Sequence, residues 1–325
     1  MHQIASALNE YDCFFSQAYS NNKLIRLALN SGWLETTILG YKLKARADDY
    51  LKKHNLKNDY AASVYNNQYA LVVCCTDLII DKSLKKTKTV FVQEGMTDPV
   101  TKFGKVIHKL GLPPLLAKNT AFNGSTNICD IYCAASEGYK EQFAQFGTDP
   151  KKIFVTGIPN YDNVHAYLNN DFPHHGYVLV ATSDLRETFN KDDREQFIAN
   201  CVKIANGRQL IFKLHPNEVK ERAIEEIKKW TPSDTLVFTE GNTDHMIANC
   251  DELFTQYSTV VYTGIVLGKK VHSYFDLDDL YKKVPLQNGG RSAVIIADLI
   301  RTYVEHEGSL YEFLESYHHT NFKVA

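Results

Sequence analysis

A surplus of positive charge is missing from this sequence. Lys and Arg total 36 against 38 Asp and Glu in 325 residues, a formal net charge of -2. The basic footprint by which proteins hold nucleic-acid phosphates is therefore absent. Long apolar runs are missing too, and none approaches the roughly 20 residues needed to span a bilayer. The N-terminus shows no basic-then-apolar leader. The seven cysteines are odd in number, scattered, and form no C-x-x-C pair. That usage suits reduced thiols in a cytosol better than a disulfide framework. There is no internal repeat, no low-complexity tract, no G-x-S-x-G elbow, no Walker A loop and no H-E-x-x-H. His174-His175 and His318-His319 lack a third ligand at metal spacing. Asp276-x-Asp278-Asp279 sits in a charged stretch that reads as a solvated loop, and Cys129-x-x-x-Cys133 runs into a strand pattern. What remains is an ordinary soluble composition, 44% hydrophobic and 23% charged. The length suits two cores rather than one, and the expected localisation is cytoplasmic.

Short apolar runs alternate with amphipathic stretches, the pattern of βα units around parallel sheets. In the first half, Cys13–Ser16, Ala70–Cys75, Val90–Gln93, Ile131–Ala134 and Ile153–Thr156 read as strands. Gly138–Phe146 reads as a helix, started at Ser136-Glu137 and stopped at Gly147. In the second half, Val178–Ala181, Leu210–Leu214, Leu236–Phe238, Leu253–Thr255 and Val271–Tyr274 read as strands. Arg194–Ala205, Val219–Trp230 and Ala293–Glu305 read as the helices between and after them. The polar run Asn169–Gly176, broken by Pro173, predicts the linker between halves. The chain opens on a helical pattern, Met1–Leu8, where a doubly wound domain normally opens on a strand. Either the domain starts unusually or an upstream strand is missing. The expected fold class is α/β, two doubly wound domains whose ligand cleft lies at the carboxyl ends of both sheets.

Five segments at strand ends or in loops could carry chemistry. Gln93-Glu94-Gly95 follows an apolar strand, and Glu94 there could act as a general base on a sugar hydroxyl. A solvated Glu in a turn is the plain alternative. Asp98, before Pro99, is a second carboxylate and a candidate helix cap. Lys213-Leu214-His215-Pro216-Asn217 ends another strand and would suit a phosphate or nucleotide. A surface Lys, a loop His and a helix-initiating Pro make the plainer reading. Thr255-Gln256-Tyr257-Ser258-Thr259 ends a strand on a hydroxyl pair, which can hold a phosphate or cap a helix. Thr182-Ser183-Asp184-Leu185-Arg186-Glu187 offers Arg186 as a planar phosphate fork, or as half of a surface Arg–Glu pair. Gln287-Asn288-Gly289-Gly290-Arg291-Ser292 is a glycine-bearing loop whose backbone could approach a ligand, or only turn.

The order of these segments carries more than any one of them. Taken with Ala135–Lys140 leading into Phe154–Asn160, with Asp244–Asp251 running to Tyr257-Ser258-Thr259, and with Gly268-Lys269-Lys270-Val271, the chain from about Val90 to Ala297 resembles GT-B glycosyltransferases. It is similar to CDP-glycerol glycerophosphotransferases, to capsule polysaccharide (Kdo-transferring) enzymes and to bacterial sialyltransferases of that type. The resemblance implies two Rossmann-like domains facing a central cleft: an acceptor-side domain over 1–168, a donor-binding domain over 177–307, and a helix over 308–325 packing back on the first. It implies Glu94 as general base, and Lys213, His215, Pro216, Ser258 and Thr259, with Arg186, as nucleotide- and phosphate-binding residues. Gln93, Gly95, Asp98, Gln287 and Asn288 are acceptor-side or loop candidates. Gln93 stands where sialyltransferases carry the first of two acids, and Glu94 where glycerophosphotransferases carry His.

The expected function is transfer of a sugar from a nucleotide-activated donor, CMP- or CDP-linked before UDP-linked, to a surface or capsular glycan. No metal and no further cofactor are expected, because cationic side chains and helix starts can neutralise the leaving phosphate. Nucleic acid is not an expected partner, and a homodimer is compatible. A non-hydrolysing UDP-sugar 2-epimerase of the same fold is the nearest rival, and a non-catalytic nucleotide-sugar-binding subunit is the rival of another class. The tail Ser309–Tyr317 reads as a helix with acidic Glu312 and Glu315 and no basic face, which argues against a membrane-binding tail. A few of the 19 tyrosines could stack on sugar.

Overall fold

The computed structural model describes residues 1–16, 23–31, 41–59, 68–78, 87–117, 119–187 and 191–321. The chain divides into two compact units, one formed by Met1–Pro159 with Arg291–Ala325, the other by Asn160–Gly290.

In chain order the first unit holds α1 (His2–Ser6), α2 (Lys23–Asn30), α3 (Tyr41–Lys53), β1 (Leu71–Cys74), β2 (Lys88–Val92), α4 (Lys102–Lys109), β3 (Ile131–Ala134), α5 (Glu137–Gln145) and β4 (Ile153–Val155). Its four strands are all parallel, in the order β1-β2-β3-β4. Successive strand residues point to opposite faces. Val90, Val92, Ile131 and Cys133 pack on one face with Ile4 of α1 and Leu8 just beyond it. Phe91 and Tyr132 turn to the other, where Phe91 meets Phe143 of α5 edge to face. Ser136 starts α5 by accepting the Tyr139 N–H, and Gly147, at φ 122, stops it. Among the described residues, the expected strand Cys13–Ser16 contributes only a single bridge, Phe15 to Asn58.

The second unit holds β5 (Val178–Ala181), α6 (Arg194–Ala205), β6 (Leu210–Lys213), α7 (Lys220–Trp230), β7 (Leu236–Phe238), α8 (Thr243–Asn249), β8 (Glu252–Thr255), α9 (Val261–Val266), β9 (Lys270–His272) and α10 (Leu277–Lys282). Its sheet is parallel throughout, in the order β7-β6-β5-β8-β9. Ala181 lies opposite both Lys213 and Thr255, so three neighbouring strands end together. Val178, Val180, Phe212 and Phe254 pack against Phe197, Ile198 and Cys201 of α6 and Ala223 and Ile227 of α7. Each such aromatic or aliphatic side chain contributes about 1.5–3 kcal/mol by leaving water. Side chains start three of the helices: Asp193 accepts from Gln196 N, Asn242 from Asp244 N, and Asp276 from Asp279 N. Asp276 is thus a helix cap and not half of a D-x-D metal motif.

The chain then returns to the first unit as α11 (Ser292–Glu305) and α12 (Leu310–Asn321). This corrects the expected boundaries. The segment over 169–176 is not a linker but part of the second unit, tied to α8: Asn170 Nδ2 donates to Asn249 Oδ1 at 3.1 Å, and Asn249 Nδ2 to the Phe172 carbonyl at 3.0 Å. Residues 291–307, expected in the donor-binding domain, lie in the first unit because α11 buries Ile296 and Ile300 there, beside Phe313 and Leu314 of α12. Lys88, at the start of β2, donates to the carbonyls of Tyr303, Val304 and His306 and so caps the carboxyl end of α11. No helix among the described residues is long and apolar enough to cross a membrane.

Candidate functional site

Strand order in the second unit reverses at β5: β6 and β7 lie to one side, β8 and β9 to the other. In open α/β sheets, ligands bind outside the carboxyl ends of the strands at such a reversal. The segments that leave β5, β6 and β8 are Thr182–Glu187, Leu214–Glu218 and Gln256–Thr259.

The first two are joined by one carboxylate. Glu218 is buried, and its Oε2 accepts the His215 N–H at 2.9 Å and the Thr182 hydroxyl. Its Oε1 takes the Arg194 guanidinium. The Thr182 Oγ1 also accepts the His215 N–H at 3.0 Å, and the Thr182 N–H reaches the Lys213 carbonyl. Two loop residues, Thr182 and His215, and Arg194 of α6 therefore converge on one buried acid, which fixes the backbone of His215. The imidazole itself is half-buried. Its Nδ1 accepts the Asn217 N–H at 3.3 Å and lies 3.6 Å from Asp184 Oδ2. Lys213 is 6% exposed, and its ammonium donates to the Leu214 carbonyl at 3.0 Å and the Thr239 carbonyl at 3.5 Å. Burial pulls this ammonium below the usual lysine range. Pro216 is exposed and lies four residues before α7, so it shapes the turn and does not initiate the helix.

At the end of β8, Gln256 is buried at 1% exposure. Its Nε2 donates to Asp192 at 2.9 Å, while its Oε1 has no protein partner. Ser183 Oγ and Thr255 Oγ1 are likewise buried without one. Orphaned polar atoms of this kind are uncommon in folded chains and point to unfilled hydrogen-bonding demand. Ser258 and Thr259 are half-buried, and their carbonyls accept the Val261 and Tyr262 N–H groups. α9 has Val260 at its N-cap and no side-chain cap, so neither hydroxyl is spent on capping it.

Arg186 is engaged elsewhere. It makes a two-pronged pair with Glu226 of α7, at 2.9 and 2.8 Å, and lies 3.4 Å from Asp192. The hydrogen bond with Arg186 holds the Glu226 carboxyl below its ordinary range, and the same bond raises the guanidinium. The Arg–Glu pairing is thus the arrangement seen, extended by Arg194 into a buried network. Gln287 ties the Tyr161–Val164 turn to the 285–287 segment, donating to the Tyr161 carbonyl and accepting the Val164 N–H at 3.1 Å. Gly290 N–H reaches the Asp162 carbonyl at 3.2 Å. Both contacts lie within the second unit and bring together its first and last residues. Asn288, next to Gln287, is half-buried.

In the first unit, Glu94 follows β2 and is exposed. Glu94 lies two residues past β2, at the carboxyl end of the strand beside β1; burial, and then the Glu94 charge, push the thiol of Cys75, just past β1, up to about 11. Gln93 is buried, its Oε1 accepting the Ala135 N–H at 2.9 Å and its Nε2 donating to the Gly95 carbonyl at 2.8 Å. It shapes the turn that presents Glu94. Gly95 has open space where a side chain would stand and no left-handed φ, so this turn does not require glycine. Asp98 does not cap α4; Thr101 does, accepting from Gly104 N. Asp98 instead clamps Thr120 through its N–H at 2.9 Å and hydroxyl at 2.7 Å. Among the described residues no group of three or more His, Cys, Asp or Glu could hold a metal ion.

Sequence reasoning named the strand-end segments but missed Glu218, Arg194 and Asp192 as their organisers, and gave Gln256 no role. A carboxylate three residues after a strand-end His was the available signal for Glu218. The Arg194 and Asp192 pairings left none.

No protein-family model matches the chain, and no curated protein matches its sequence. Likeness is found among solved structures. A candidate UDP-N-acetylglucosamine 2-epimerase from Listeria monocytogenes gives a TM-score of 0.55 at 14% identity, over 90% of this chain and 95% of that one. The UDP-GlcNAc 2-epimerase from Methanocaldococcus jannaschii gives 0.48 at 14% identity over 99% and 95%. The wall teichoic acid polymerase TagF gives 0.46 at 13% identity over 77% and 78%. At these identities the likeness is one of fold, an α/β fold of GT-B-like type with parallel sheets of four and five strands.

Proposed function

We propose that the chain is a GT-B transferase that binds a nucleotide-activated sugar at the carboxyl edge of the second unit's sheet, with cytidine-linked donors first. The observation that carries this is the gathering, at the strand-order reversal, of a buried Lys213, a backbone-fixed His215, the half-buried Ser258 and Thr259, whose hydroxyls do not cap α9, and orphaned Ser183 and Gln256. Hydroxyl and cationic donors set beside a developing phosphate charge lower the barrier to its departure. Glu94 takes the proton of the acceptor hydroxyl, whose oxygen attacks the anomeric carbon. The bond from that carbon to the donor phosphate breaks, and the nucleotide leaves with the electron pair. Arg186, already paired, serves the 182–187 loop. The acceptor is a glycan hydroxyl of the surface or capsular class.

The test is turnover of CMP-, CDP- and UDP-sugars with and without glycan acceptors. Acceptor-dependent release of a cytidine nucleotide supports the reading. Glu94→Gln should lower that rate by about 100-fold or more while nucleotide binding persists. A second reading, a UDP-sugar 2-epimerase, is favoured by the 0.55 fold likeness to the Listeria monocytogenes protein. It requires solvent deuterium to enter the sugar of a UDP-sugar with no acceptor present. Binding without either reaction would leave the non-catalytic subunit.

A further inference from the structure

α4 and its C-cap Leu110 turn three of their four large apolar side chains outward and bury only Ile107. The buried positions of the helix are Gly104 and Ile107, whereas Phe103, Val106 and Leu110 are 57%, 51% and 64% exposed. Helices of globular proteins place the large apolar residues inward and the small or polar ones outward. The 3-10 turn that follows, Pro114–Ala117, repeats the inversion by burying Ala117 and exposing Leu115 and Leu116. The inward side of this segment is already filled: Gly104 abuts the Phe122 ring, and His108 stacks on that ring with centroids 5.6 Å apart. The exposed apolar side chains therefore do not stand in for a poorly made core.

Charge distribution argues for what covers them. Phe103, Val106 and Leu110 form one stripe at 100° per residue, and Lys102, Lys105 and Lys109 line one edge of it. All three lysines are exposed, and none makes an ion pair among the described residues. No Asp or Glu occurs between Asp98 and Asp130, in a protein whose formal net charge is -2. An apolar stripe beside an uncompensated basic edge matches a bilayer interface, where hydrocarbon meets anionic headgroups. Lysine is depleted at protein–protein interfaces, whereas an anionic bilayer surface attracts it.

We propose that α4 and the Pro114–Ala117 turn form a peripheral docking surface for an anionic lipid bilayer. Phe103, Val106, Leu110, Leu115 and Leu116 enter the headgroup boundary, and Lys102, Lys105 and Lys109 meet the lipid phosphates. The inference stands apart from the proposed function, since no nucleotide or sugar enters its test.

The test is flotation of the full chain with phosphatidylcholine vesicles and with vesicles that also contain phosphatidylglycerol. The expected result is binding to the anionic vesicles alone, weakened by added salt. The triple variant K102E/K105E/K109E should lower vesicle affinity on the order of a hundredfold. F103S/L110S should abolish binding, with the thermal midpoint held because neither side chain is in the core. Failure to bind anionic vesicles overturns the proposal, as does equal binding to both vesicle types or binding that survives F103S/L110S. So does a sedimenting dimer that F103S/L110S converts to monomer, which would assign the surface to a second copy of the chain.

Discussion

Two glycines in the first unit separate conformational need from mere turn preference. Gly124 sits at φ 87, and a Cβ there would stand 2.6 Å from the fully buried Phe143 ring. Gly124→Ala should cost about 2–4 kcal/mol by chemical denaturation, from left-handed strain and overpacking together. Gly95 meets nothing within 4 Å at an ordinary φ, so Gly95→Ala should leave stability within about 0.5 kcal/mol. At the start of β8, burial works against the charge of Glu252. Hydrogen bonds from His272, Arg208 and Lys270 outweigh it and hold the carboxyl at about 2. A carboxyl depressed in the folded state stabilises above its unfolded value, near 4.3, and loses that contribution as pH falls towards 2. Glu252→Gln should therefore cost about 1–2 kcal/mol at neutral pH and nothing near pH 2, read from urea melts across that window.

The turn after β6 is the element on which the candidate site depends. Glu218 binds the His215 backbone, the Thr182 hydroxyl and Arg194 from a fully enclosed position. Glu218→Ala removes the nearest of the three carboxylates around the buried Arg194 guanidinium and leaves Asp192 and Glu226 at longer range, so about 2–4 kcal/mol of stability should be lost. Glu218→Gln retains the shape and should cost less, with any nucleotide affinity falling as His215 loosens. Strands such as Ile131–Ala134 and Val178–Ala181 were legible in the sequence to the residue, because short apolar runs between turns have few other uses. The Glu218–Arg194 pairing was not, since it joins positions on different elements whose proximity only the folded sheet creates. The 169–176 segment misled for a related reason. Its Pro, Gly and Asn read as a linker by composition, yet its side chains and backbone are tied to Asn249. Cys13–Ser16 misled in the opposite direction: among the described residues this apolar run pairs at a single bridge, Phe15 to Asn58.

For the whole molecule, two parallel-sheet units were readable from the alternation of strand and helix patterns, but not where the chain crosses between them. That information lies in tertiary contacts: Lys88 capping α11, and Gln287 fastening the 161–164 turn. The central claim is that the second unit's sheet edge holds a nucleotide. Titration calorimetry of CMP, CDP, UDP, GDP and ADP into the full chain, beside His215→Ala and the Ser258→Ala/Thr259→Ala pair, tests it most directly. The account predicts saturable binding of a cytidine nucleotide, weakened at least tenfold by each variant, about 1.4 kcal/mol. Heat from UDP alone would favour the epimerase reading. Absence of binding by all five nucleotides, or binding indifferent to both variants, would contradict the assignment of this edge as the donor site.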